Sequence, residues 1–182
     1  MNIFFVDKNP IIAAQSLHLD HVVKMIVESA QLLSTAHRVL DGEEKTIIQN
    51  NRRLKRWILN DEREEILYKS TMINHPCNIW VRESDRNYIW LFRHLKALSE
   101  EYTFRFDKIH KTTNLFSHLQ ILPNNIPKRK ITKPYLAMPE IYHNSDIIQA
   151  YRTYYNNEKL FPKNRKASWG KRNIPDWVKL NV

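Results

Sequence analysis

Between Asp20 and Leu40 the polar residues His21, Lys24, Glu28, Gln31, Thr35 and Arg38 recur at spacings of 3, 4, 3, 4 and 3. That rhythm places them in one narrow stripe along a helix. Almost everything between them is apolar or small: Val22, Val23, Met25, Ile26, Val27, Ala30, Leu32, Leu33, Ala36, Val39 and Leu40. A surface helix normally shows a broad polar face opposite an apolar stripe. Here the proportions are inverted. Such a helix must be packed on most of its sides, with a single edge left for water or a ligand. Asp41-Gly42 is a stop signal, and Gly42 is free to take a left-handed cap.

The rest of the chain also reads as helical. Two glycines stand where average usage of about 7% would give roughly 13. Asp7 and Asn9 before Pro10 predict a short helix through about Leu17. Pro76 opens another, with Trp80 and Arg82 on it. Ser84-Asp85 caps a long helix to about Tyr102, whose apolar face is Tyr88, Leu91, Phe92, Leu95 and Leu98. A further helix is expected from Asp107 to about Leu122, and one from Asn144-Ser145 to about Leu160. Residues 43–70 are mixed and charged, with a short strand at Trp57 to Leu59 and a short helix at Glu62 to Tyr68. Residues 123–139 hold four prolines and form an extended arm. The expected fold is mainly α: a compact helical bundle over residues 1–160. It has a short extended segment, Asn2 to Val6, at its start. An irregular, basic, aromatic tail over 161–182 packs on it or extends from it.

Charge is placed unevenly. Residues 1–122 hold 17 Lys and Arg against 15 Asp and Glu, whereas residues 123–182 hold 12 against 4. A basic end on a nearly neutral body points to a polyanion, with DNA favoured over RNA and a host protein as a further candidate partner. Membrane contact is not expected: no run reaches the roughly 18–20 apolar residues of a span, and Pro162 and Pro175 break the tail. Without glycine-rich loops the phosphate-cradling and dinucleotide motifs are missing, so no cofactor is expected. Cys77 is the single cysteine, which excludes an internal disulfide and a cysteine-based zinc site. The eight histidines show no metal-binding spacing, so no metal is expected either. These features fit a cytoplasmic protein, that of a host cell if a phage encodes it.

The stripe carries the candidate chemistry. His21, Lys24 and Glu28 place an imidazole, an amine and a carboxylate on consecutive turns, the groups of a proton-transfer or amine-nucleophile site. The same stripe would also suit the one exposed edge of an ordinary central helix, and Lys24 with Glu28 a plain salt bridge. Candidate nucleic-acid contacts are Arg82 near His75, then Arg105, His110 and Lys111 in "FRFDKIHKT". The proline-rich arm adds Lys128, Arg129, Lys130 and Lys133. The tail adds Lys166, Lys171 and Arg172 around Trp169, which would stack on a base.

Two resemblances add to this. "HVVKMIVESAQLLSTAHR", "NHPCNIWVRESDRNYIWL" and "AYRTYYNNEK" resemble a family of uncharacterised proteins common in phage genomes. More distantly, the layout is similar to the phage pyrimidine-dimer DNA glycosylases of the endonuclease V type. In that family a histidine stands seven residues before a catalytic glutamate, as His21 stands before Glu28. "FRFDKI" and "KASWGKRNIPDWVK" look like its basic-aromatic turn and tail. The family carries arginines where Val27 and Gln31 stand. The resemblance implies an all-helical DNA glycosylase and abasic-site lyase acting on damaged or modified bases. Its nucleophile would be an N-terminal α-amine, here that of Met1, or that of Lys24 if burial lowers its pKa. An α-amine titrates near about 8, against about 10.4 for lysine. Glu28 would hold the sugar's positive charge. The alternatives are a phage protein that binds nucleic acid or a host protein without catalysis, and an enzyme of free nucleotides or bases.

Overall fold

The computed structural model describes residues 1–49, 51–161 and 165–180. Its centre is the helix that the stripe foreshadows. Helix α2 (Leu19–Asp41) follows a short helix α1 (Pro10–Gln15), which Asn9 caps by accepting the Ile11 amide at 2.9 Å, with Pro10 in the first turn. Residues 32–38 of α2 are all buried, as are Val22, Met25, Ile26, Ser29 and Ala30. Helix α4 (Pro76–Glu83) and the long helix α5 (Asp85–Phe106) pack against α2, and α1 packs on α5. Ser84 caps α5 as the sequence predicts, accepting the Arg86 amide. The helix runs four residues past Tyr102 before Asp107 ends it in the left-handed region (φ 55°). The protein is mainly α-helical, with one small two-stranded sheet.

Two predicted elements differ. No continuous helix spans 107–122: a 3₁₀ turn at Lys111–Leu115 leads into the single turn α6 (Phe116–Leu119). Strand β1 (Glu43–Gln49) pairs antiparallel with β2 (Arg52–Ile58) as a β-hairpin, where only a short strand at 57–59 was expected. The hairpin is followed by the short helix α3 (Arg63–Ile66). The last helix, α7 (Ile147–Glu158), is capped by Asp146 rather than Asn144 or Ser145.

Gly42 corrects a local expectation. Its backbone is extended (φ −95°), so no left-handed cap forms. Glycine is needed for space: a Cβ would lie 2.6 Å from the Arg38 carbonyl oxygen and 2.9 Å from that of Ile58. The close approach lets the hairpin fold back on the end of α2. Arg38 secures it. The buried guanidinium donates from Nε to the Tyr68 carbonyl at 2.7 Å. Nη1 donates to Trp57 at 3.1 Å and to the Glu64 carboxylate. Nη2 donates to the carbonyls of Glu64 and Leu67 at 2.8 and 3.0 Å. All five donors of the fork are used.

The N-terminal segment threads the interior without a partner strand. Ile3, Phe4, Phe5 and Val6 are buried. Trp90 Nε1 donates to the Lys8 carbonyl at 2.7 Å, and Arg152 Nε to that of Val6 at 2.9 Å. Phe4 stacks on His21 with centroids 4.6 Å apart, and His21 stacks on His18 at 4.1 Å. Burial pushes His18, His37 and His94 down to a pKa of about 4. Burial, and then the neighbouring His18, push His21 down to about 2.

The segment after α7 is strapped to the body. Leu19 donates its amide to the Ser168 carbonyl at 2.8 Å, and Trp169 Nε1 donates to that of Ser16 at 2.9 Å. The 123–139 segment is extended as expected and pinned beside the α4–α5 junction. There the Ser84 hydroxyl donates to the carbonyls of Arg129 and Lys130, and Trp80 Nε1 to that of Thr132.

Two outcomes follow. Gly42→Ala should lower stability by about 1–3 kcal/mol, the usual cost of overpacking against backbone that cannot yield. A urea melt indistinguishable from the parent's would refute the steric account. The buried histidines also set a pH dependence. Below about 6.5 the unfolded chain takes up protons that the folded one refuses until about pH 4 or lower, so stability falls as pH drops through that window. The urea midpoint should decline between pH 7 and 5, and a flat profile would show that the histidines are not held neutral.

Candidate functional site

The groups that meet around Glu28 come from three parts of the chain. Glu28 faces the open edge of α2, with its side chain 14% exposed. Its Oε2 accepts the Asn2 amide at 3.0 Å and lies 3.8 Å from the Met1 amino group. Its Oε1 lies 3.5 Å from Lys24 Nζ. One carboxylate thus faces an α-amine, an amide and a lysine.

Asn2 fixes that geometry. Its Oδ1 accepts the amides of Ile3 at 2.7 Å and Phe4 at 2.8 Å, and its Nδ2 donates to the Ala137 carbonyl at 2.8 Å. Phe4 is forced to φ 44°, a conformation that a bulky residue rarely holds. Met1 is half-buried as a residue, yet its side chain is only 4% exposed. Its accessible part is therefore main chain. The thioether is the anchor, 3.6 Å from Asn78 Nδ2, and the amino group lies beside Glu28.

Helix α4 supplies the wall. Asn78 is fully buried, and its Nδ2 also donates to the carbonyls of Thr71 and Met72 at 2.9 Å each. Its Oδ1 has no partner among the described residues. His75 caps α4 by accepting the Cys77 amide on Nδ1 at 3.2 Å, which leaves Nε2 as the protonated nitrogen of the neutral ring. Burial, and then the Met1 amine, lower its pKa, while Glu28 opposes them. Burial raises the Cys77 thiol to about 12, so it is inert as a nucleophile. Met72, at φ 44°, is the second strained residue beside the site.

Of the predicted catalytic set, Met1, Lys24 and Glu28 come together and His21 does not. The His21 ring is buried between Phe4 and His18, with Nδ1 2.9 Å from the Tyr155 hydroxyl. It shapes the path of the N-terminal segment, and the exposed stripe begins at Lys24. Lys24 is 60% exposed, so the burial that would make it the substitute nucleophile is missing. At the far end of the stripe Thr35 and Arg38 are buried and hold neighbouring loops.

Five of the twelve predicted nucleic-acid contacts, Arg82, Arg105, His110, Trp169 and Arg172, are buried or half-buried, and two exposed lysines have partners on the surface. Trp169 is 2% exposed and cannot stack on a base. Arg105 is buried against Glu101 and the carbonyls of Leu17 and Gln15. Arg172 pairs with Glu101 and Lys171 with Asp107. His110 caps the 3₁₀ turn, accepting the Thr112 amide. Arg82 donates to the Ile73 carbonyl at 2.8 Å, although its buried Nη1 has no partner among the described residues. Lys133 reaches the Ser145 carbonyl at 3.0 Å. Lys111, Lys128, Arg129, Lys130, Lys133, Lys166 and Lys171 are exposed.

Sequence reasoning missed Asn2, Asn78 and the hairpin. The hairpin had a signal: the β-branched run Thr46-Ile47-Ile48 and the alternation Leu54, Arg56, Ile58 flank Asn50-Asn51, a turn-forming pair. Asn51 takes φ 58° accordingly. Asn2 and Asn78 had none, because the contacts that tie them into the site, Asn2 to Ala137 and Asn78 to Met1, span 135 and 77 residues.

Among the described residues no three His, Cys, Asp or Glu side chains gather as a metal site would require, and no helix is long and apolar enough to cross a membrane. No family model, curated protein or solved structure matches the chain.

Glu28→Gln keeps an oxygen for the Asn2 amide, whereas Glu28→Ala leaves that amide unpaired. The alanine variant should be destabilised by about 1–3 kcal/mol and the glutamine variant by clearly less. Equal urea midpoints for the two would show that the Asn2 contact does not hold the segment.

Proposed function

We propose that this chain is a DNA glycosylase with abasic-site lyase activity, in which the N-terminal α-amine is the nucleophile and Glu28 the carboxylate that steadies the charged sugar. The observation that supports it is the Met1 amine held 3.8 Å from Glu28 Oε2, with its side chain anchored in the fold.

The amine attacks C1′ of the deoxyribose. The N-glycosidic bond breaks, and its electron pair leaves on the base, which takes up a proton. The attached nitrogen loses a proton as the C1′–O4′ bond opens and O4′ is protonated, leaving a protonated imine. Removal of a C2′ proton then expels the 3′ phosphate. Glu28 lies where positive charge develops and accepts protons from the amine. The target base must leave the stack, at a cost of a few kcal/mol that is smaller for a damaged base. Loss of Met1 would not dismantle the pair, because the Asn2 nitrogen already lies 3.0 Å from the same oxygen.

The test is borohydride trapping on DNA that carries an abasic site. A covalent adduct should form and map by mass spectrometry to the N-terminal peptide. It should vanish in Glu28→Gln and after selective acetylation of the α-amine. No adduct while DNA binding persists would overturn the proposal, and an adduct on Lys24 would overturn the choice of amine.

A further inference from the structure

The fold leaves unpaired cations on the hairpin, which the sequence did not single out, as well as in the C-terminal third. Arg52, Arg53 and Arg56 on β2 have no carboxylate within ion-pair distance among the described residues. Lys55 is 68% exposed and Lys69 is 60% exposed, each with one carboxylate nearby. In the C-terminal third Arg165, Lys171 and Arg172 pair with Asp20, Asp107 and Glu101, whereas Lys128, Arg129, Lys130 and Lys166 have no carboxylate within ion-pair distance among the described residues.

The hairpin forms one wall of an open groove of about 740 Å³. Lys55, Arg56 and Trp57 line that wall, and Lys69 with the 70–75 loop lines the other. Among the described residues no carboxylate lines it. The half-buried Trp57 is a flat apolar surface between the cations. The groove ends at His75, one helical turn before the Asn78 that touches Met1. His75 also senses the charges of the Met1 amine and Glu28. The exposed cluster Lys128 to Lys130 lies at the opposite end of α4, about 12 Å away for eight residues of helix.

We infer that this groove between the β-hairpin and the 69–75 loop binds a DNA strand, with Lys55, Arg56 and Lys69 on its phosphates and Trp57 against a base. Ammonium and guanidinium groups neutralise the backbone without regard to sequence. An indole among them suits a base that has left the stack. Arg52 and Arg53, further along β2, extend the surface to the flanking strand. The inference rests on the glycosylase proposal only for the identity of the polyanion, and it assigns that site its strand-binding surface.

Binding to DNA that carries a tetrahydrofuran abasic analogue isolates the groove, because that sugar cannot form an imine. Fluorescence anisotropy across a salt series should show Lys55→Gln/Arg56→Gln/Lys69→Gln weakening binding at least tenfold. The salt slope should flatten by about 0.7–0.9 for each phosphate that the variant no longer neutralises. Arg52→Gln/Arg53→Gln, changed at exposed positions, should weaken it in the same direction and guards against misfolding of the triple variant. Lys128→Gln/Arg129→Gln/Lys130→Gln should have the smaller effect. The inference is overturned if both hairpin variants keep the parent's affinity and slope, or if the 128–130 variant weakens binding more than either. Failure of borohydride trapping with hairpin-dependent binding intact would sink the proposed reaction and leave the groove standing.

Discussion

Helix α2 is enclosed on nearly every side, so each polar group it carries must find a partner inside the protein. An unpaired buried donor or acceptor costs about 1–3 kcal/mol, and an unpaired buried charge more. The surroundings of α2 answer that demand at most turns, although the buried hydroxyls of Ser29 and Ser34 have no partner among the described residues. His21 is sandwiched by Phe4 and His18, Glu28 takes the start of the chain, Thr35 takes the Thr71 amide, and Arg38 collects the 57–68 segment. Loops that are distant in sequence are thus gathered along one helix edge.

The candidate site is a by-product of that gathering. Four consecutive apolar residues, Ile3 to Val6, are buried before the first helix begins, which fixes the path of this segment. Asn2 then turns the backbone, and Phe4 absorbs the strain at φ 44°. Met72, equally strained, stands across the site. Strain of this kind persists only where the surroundings over-determine it. What it secures here is a fixed amine beside a fixed carboxylate, the pre-organisation that amine chemistry needs.

Charge tells a second story. The basic C-terminal third looked like a grip for a polyanion when counted along the sequence. In the fold, Asp20, Glu101 and Asp107 come from the nearly neutral body and meet its cations. A formal charge that is locally neutralised presents a weaker field to a partner. Unpaired positive charge remains at Lys128 to Lys130 and lies also on β2, within a stretch whose acidic residues made it look balanced. Trp169 shows the same reversal: flanked by Lys166 and Lys171, it read as exposed, yet its ring closes the core over Ser16.

Periodicity made α2 legible, because burial on most sides leaves only one line for polar residues, and capping residues marked α1, α4 and α5. Met1, Lys24 and Glu28 were also within reach of the sequence, since two share a helix face and the third heads the chain. His21 was misplaced because a seven-residue spacing specifies a shared face and says nothing of what covers each end of it. Gly42 was misread because its need is for space against the Ile58 carbonyl, and that carbonyl arrives only when the hairpin folds back. What the sequence determined by itself was a buried helix with one polar edge. Which part of that edge stays open, which cations stay free, and how the amine reaches the carboxylate were decided by contacts between segments far apart in the chain, which no local pattern encodes.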